Sequence, residues 1–122
     1  MIAYHFSHHV FNRPDYAQIR ANRTNHENGA LGLWVAMEDT WARGFGENKY
    51  TICFDDSQAY QLPVHKLSLM RFDEEQFSQM RDNLMEKGYK VIHIVESSGS
   101  IDMMVIMDFD CIIDIKHQKI TS

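Results

Sequence analysis

Cysteine is scarce in this chain: two in 122 residues, Cys53 in YTICF and Cys111 in FDCIID, far apart and with no CxxC pair. Each lies in an apolar run, so both read as small buried hydrophobes of a reducing compartment, with a bridge between neighbouring core strands as the alternative. Long apolar runs are missing too. None approaches the ~20 residues of a membrane span, and MIAYHFSHH has neither the basic n-region nor the apolar h-region of a signal peptide. Positive charge is also in deficit: 12 Lys+Arg face 17 Asp+Glu, a formal net charge of −5. That argues against a dedicated binder of nucleic-acid backbones, which needs a basic face. A soluble cytoplasmic protein is expected, with no direct nucleic-acid contact and no membrane association.

The composition is otherwise that of a globular protein, 44% hydrophobic and 24% charged. Residues 1–122 are expected to form one domain, long enough to bury a core without staples. MIAYHF is a strand candidate. NRPDYAQIRANR predicts a brief helix with Asn12 as cap and Pro14 in its first turn. TNHENGALG is a polar, Gly-rich loop, LWVAM a buried strand, and EDTWARGFG a short helix stopped by Gly44 and Gly46. KYTICFD alternates as a strand, and DDSQAYQLPVH is turn-like and extended. DEEQFSQMRDNLMEKG is the clearest helix, with Asp73 as cap, an apolar stripe of Phe77, Met80, Leu84 and Met85, and Gly88 as its left-handed stop. YKVIHIVE, IDMMVIMDF and CIIDIKHQ follow as β-rich runs, SSGS turning between the first two. This order is α+β with a largely antiparallel or mixed sheet, not regular βαβ winding.

Four stretches have the residue types that carry chemistry. YHFSHH puts three of the seven histidines within residues 4–9. In a strand His5 and His9 share one face while His8 points away, and two histidines without a spaced Cys or HExxH partner make a poor zinc site. No metal is expected; a core or exposed histidine without chemistry is the plain alternative for each. In GLWVAMEDTWARGFG, Gly32 would let backbone approach a ligand closely. Trp34, Trp41 and Phe45 supply three large rings within twelve residues, which suit either a core or the walls of a pocket for a flat heteroaromatic ligand. Glu96 ends the apolar strand of GYKVIHIVESSG, either solvated or at the mouth of a cleft, with Asp102 as the competing carboxylate. Arg20 and Arg23 have the planar forks to contact a pyrophosphate, although arginines in such loops are commonly just solvated. Asp55, Asp56, Asp73, Glu74 and Glu75 read as turn and helix-cap acids.

Taken in order, YHFS, GLWVA, WARGFG and GYKVIHIVE resemble the ADP-ribosyltransferase fold, and the tail VIMDFDCIIDI, with Asp108 and Asp110, resembles its final strand. The short chain is most similar to the small phage-encoded anti-CRISPR ADP-ribosyltransferases, whose FHTS-like start corresponds to YHFS. The resemblance implies an α+β fold of mixed, mostly antiparallel β-sheets with a few short helices around an NAD cleft. It implies NAD as substrate, with His5 and Ser7 of the opening motif, Gly32, Arg20 and Arg23 in the binding set. His5 would bond a ribose hydroxyl, Trp34 would stack on nicotinamide where the family commonly has Tyr, and Phe45 would be the second ring. Ala42 would face the carboxamide. Glu96 would anchor the nicotinamide ribose and stabilise the oxocarbenium-like cation as nicotinamide leaves. Trp34 lacks the family's hydroxyl, and Ala42 forgoes a serine hydrogen bond worth ~1 kcal/mol. A lone Glu96 resembles the His-Tyr-Glu branch more than the Arg-Ser-Glu one.

The function implied is mono-ADP-ribosyl transfer from NAD onto a bacterial protein in the host bacterial cytoplasm. The target would be a subunit of a type I CRISPR surveillance complex. Two rivals stand beside it: an inhibitor of the same fold that blocks its partner by stoichiometric binding without turnover, and a metal- or nucleotide-binding regulatory domain using the histidines.

Overall fold

The computed structural model describes residues 1–7, 10, 14, 31–38, 47–69 and 74–120. Among these residues seven strands follow in chain order: β1 (Ile2–Ser7), β2 (Leu33–Ala36), β3 (Asn48–Phe54), β4 (Ala59–Pro63), β5 (Val91–Val95), β6 (Ile101–Ile106) and β7 (Ile112–Lys119). Two helices, α1 (Val64–Leu69) and α2 (Glu74–Glu86), separate β4 from β5, and a 3-10 turn over Phe109–Cys111 leads into β7. All seven strands lie in one sheet of order β4-β5-β6-β2-β1-β3-β7. Only β4 and β5 run parallel; the other adjacent pairs are antiparallel. A parallel pair cannot close through a tight turn, and here α1 and α2 provide the crossover.

Alternation divides the side chains between two faces. On one, Leu62, Ile92, Ile94 and Val105 pack against Leu67 of α1 and Phe77 and Leu84 of α2. On the other, Ala3, Leu33, Val35, Tyr50, Ile52, Phe54, Met104 and Ile106 form a second buried cluster, joined by Cys111 and Ile112. β3 shows the period plainly, with Asn48, Tyr50, Ile52 and Phe54 buried and the residues between them half-buried.

The helix expected at DEEQFSQMRDNLMEKG is α2, and all four residues of its predicted stripe pack in the helix-side cluster. It ends as its glycine requires. Gly88 has φ +92°, its N–H donates to the Met85 carbonyl at 3.0 Å, and the Tyr89 N–H donates to Leu84 at 3.0 Å. Those two bonds are the Schellman arrangement, and Tyr89 and Leu84 supply its apolar contact. Gly99, φ +88°, makes the turn between β5 and β6. Both cysteines are free thiols; burial, aided by the nearby Asp108 charge, pushes Cys111 up to about 11. The extended reading of DDSQAYQLPVH is correct for β4 but misses α1, which starts directly after Pro63. The early helix of residues 12–23, the loop before Leu31, the WARGFG helix and the Asp73 cap lie outside the described residues.

Gly32 and Gly88 both have positive φ, but their surroundings differ. A Cβ on Gly88 would meet nothing within 4 Å, whereas one on Gly32, φ +148°, would stand 2.4 Å from the Ile106 carbonyl oxygen. Gly88→Ala should therefore cost only the left-handed penalty of ~1 kcal/mol, while Gly32→Ala adds a backbone clash and should lose at least ~2 kcal/mol. Urea unfolding of both variants checks the ordering; equal losses would contradict it.

Candidate functional site at the central seam of the sheet

The centre of the sheet is its least regular joint. Among the described residues β1 meets β2 at a single register pair, Tyr4 with Ala36, while β1 pairs with β3 along its whole length from Ile2–Cys53 to Ser7–Asn48. Where the β1–β2 ladder opens, the His5 side chain enters, its Nδ1 donating to the Trp34 carbonyl at 2.7 Å. Since a carbonyl only accepts, the bonded nitrogen carries the proton and the neutral ring keeps its lone pair on Nε2. Burial lowers the pKa of His5 and the Trp34 bond raises it; burial wins, so the ring is held neutral.

Continuing that register, His5 falls in one transverse row with Val35, Met104, His93 and Gln61 on one side and Tyr50 and His117 on the other. Its right-hand half is polar and aromatic. The His5 and Tyr50 ring centroids are 6.2 Å apart, and Tyr50 stacks on His117 at 4.9 Å and 26°. His117 Nε2 donates to Asn48 Oδ1 at 2.9 Å, and Asn48, 3% exposed, is a buried polar residue. Ser7 lies opposite Asn48 on this same face. On the other side of the row His93 Nε2 donates to Asp56 Oδ2 at 3.1 Å, a charged pair when the ring is protonated.

The expected site residues are distributed as follows. His5 and Ser7 share a face of β1. Trp34, in register with Val105, projects to the opposite face and packs in the helix-side cluster. Gly32 brings backbone close to the Ile106 carbonyl of β6, which is what requires a glycine there. Glu96 follows β5 at the hairpin, its N–H bonded to Ser100 O at 2.9 Å. β5 stands three strands from β1, about 14 Å at roughly 4.8 Å per spacing. Asp102 is nearer, on β6 two strands from β1, and its carbonyl accepts from the Met37 N–H at 2.9 Å. His5, Trp34 and Glu96 are therefore not gathered at one point. Arg20, Arg23, Ala42, Phe45, Trp41, His8 and His9 lie outside the described residues. Among the described residues no three His, Cys, Asp or Glu side chains converge as metal ligands, and no helix is long and apolar enough to cross a membrane.

Tyr50, Asn48 and His117 went unnoticed as site residues in the sequence. The alternation of NKYTICF puts Asn48 and Tyr50 on one face, but nothing local brings in His117, 69 positions from its hydrogen-bond partner.

No protein-family model matches the chain, and no curated protein sequence does. A crystal structure of an anti-CRISPR protein superposes on it with a TM-score of 0.53, covering 97% of this chain and 95% of that one at 14% identity. At that identity the likeness is one of fold.

Because the folded state holds His5 neutral, the unfolded chain takes up this proton first as pH falls through the ordinary histidine value of 6.5. The resulting stability is present above that value and declines below it until the folded ring also protonates, at up to ~1.4 kcal/mol per pH unit. His5→Gln should remove this component. Thermal unfolding between neutral and mildly acid pH should show the wild type losing more stability than the variant; parallel curves would contradict the assignment.

Proposed function

We propose that this chain is an anti-CRISPR protein acting on a protein component of a CRISPR surveillance complex. The observation that carries the proposal is the near-complete mutual coverage with the anti-CRISPR structure, 97% and 95%. At that coverage the likeness of fold is not confined to one shared motif. The sequence resemblance of YHFS, GLWVA and GYKVIHIVE to small phage-encoded anti-CRISPR proteins supports the same reading independently. A net charge of −5 suits approach to a basic, nucleic-acid-binding surface.

In its finer form the proposal is ADP-ribose transfer from NAD to that target. His5, fixed at the seam as a neutral ring, is the ribose ligand in this reading. The acid near the developing cation is Glu96 or Asp102, and the strand order supports Asp102 because it stands one strand closer to His5. Occlusion without turnover is the competing mode.

A DNA-binding assay with a purified type I surveillance complex tests both levels. Loss of target binding on adding the chain is expected. If transfer operates, substoichiometric chain suffices only with NAD, nicotinamide is released, and Asp102→Asn lowers the effect on the order of 100-fold. If Glu96→Gln alone has that effect, the acid is Glu96. Inhibition that needs one chain per complex and ignores NAD identifies occlusion. No inhibition of any CRISPR complex rejects the proposal.

A further inference from the structure

The two edges of the sheet are unequal. β4 is five residues long and ends in Pro63, which has no N–H to offer a neighbouring strand. β7 is eight residues long, and Ile113, Asp114 and Lys116–Lys119 are exposed along it. Among the described residues no strand pairs with its outer side, and Ile113 leaves 70% of its surface in water. An edge of this length is a template for another strand unless something blocks it.

The ladder to β3 determines which residues the outer side presents. Ile120 donates its N–H to Glu47 O at 2.7 Å, directing its backbone groups inward. With a period of two, Gln118, Lys116 and Asp114 also face β3, in register with Lys49, Thr51 and Cys53. Ile115, His117 and Lys119 thus direct their N–H and C=O groups outward. A bulge between Cys53 and Phe54 interrupts the ladder at Ile113 and leaves this stretch regular.

We propose that β7 pairs antiparallel with β7 of a second copy of this chain, centred on Ile115, joining two sheets into one. Charge selects the occupant and the register. With Ile115 opposite Ile115, each Asp114 faces Lys116 of the second copy, twice by symmetry, at a position where side chains of an antiparallel pair stand closest. A shift of two residues one way sets Lys116 against Lys116, and the other way Asp114 against Asp114. Shifts of one residue oppose an inward-facing backbone to an outward-facing one and form no ladder. In the Ile115-centred register Ile113 also lies opposite His117 of the second copy and loses its exposure. The symmetry is the isologous kind that closes at two chains. This inference is independent of the CRISPR reading.

Sedimentation equilibrium over a concentration series tests it. The wild type should run at twice the 14.3 kDa chain mass. Asp114→Lys and Lys116→Asp should each weaken the dimer by at least ~10-fold in Kd, and the double exchange should restore it. Both side chains are exposed, and circular dichroism confirms that each variant folds. A wild type that stays monomeric throughout, single exchanges without effect, or a double exchange that fails to restore the dimer would each overturn the proposal.

Discussion

Among the described residues, the hydrogen bond from His5 to the Trp34 carbonyl joins two halves of the sheet that are registered to each other at a single pair. β4, β5, β6 and β2 are registered to one another along their lengths, as are β1, β3 and β7; among the described residues the Tyr4–Ala36 pair, the packing of Phe6 and Tyr4 with Ala36, and the imidazole stand between the two groups. The bond does three things at once. It supplies a donor to a carbonyl in a stretch of opened ladder, fixes the tautomer of the ring, and sets β1 against β2 so that the buried cluster of Ala3, Val35, Tyr50 and Met104 runs unbroken across the joint. An unbonded ring there would leave polar atoms inside apolar surroundings, which is costly whichever protonation state it took. The seam is thus where the folding role of His5 and the ribose-binding role proposed for it meet.

Most of the fold was legible in local pattern. The alternation of KYTICF, the stripe of α2 with Gly88 behind it, and three β-rich runs after residue 88 each correspond to an element where expected, because one physical signal governed each. α1 was missed since VHKLSL is too short for helical periodicity to show and follows a proline-ended strand. The site was far less legible. His5 stood out as a residue type in a motif, but its partner is a backbone carbonyl 29 positions away, and backbone acceptors leave no mark in a sequence. Trp34 illustrates the converse. An aromatic residue in a strand has equal reason to line either face, and only pairing with Val105 decides that its ring goes to the helix side. The Asn48–His117 bond depends on β3 and β7 being neighbours, which no local window contains.

Burial does more of the chemical selection than charge. It holds His5 neutral and makes Cys111 a poor thiolate at neutral pH. Asp55 behaves differently because it is exposed. The Ser57 backbone N–H at 2.9 Å keeps its carboxyl below the ordinary range, so it works as a turn acid between β3 and β4, as an Asp in a DDS sequence should.

The strand order also sets a timetable. During synthesis β1, β2 and β3 emerge early, yet β2 has its second neighbour only when β6 follows about 65 residues later, and β3 waits about 60 residues for β7. Until then the middle of the sheet exposes unpaired edges. Helix α2 and the β5–β6 hairpin can form locally, but the central strands must hold open for distant partners. Such non-local pairing makes folding slow and leaves intermediates prone to aggregate. The nascent chain is therefore most vulnerable between completion of β3 and arrival of β6, an interval fixed by topology and unaffected by the stability of the finished sheet.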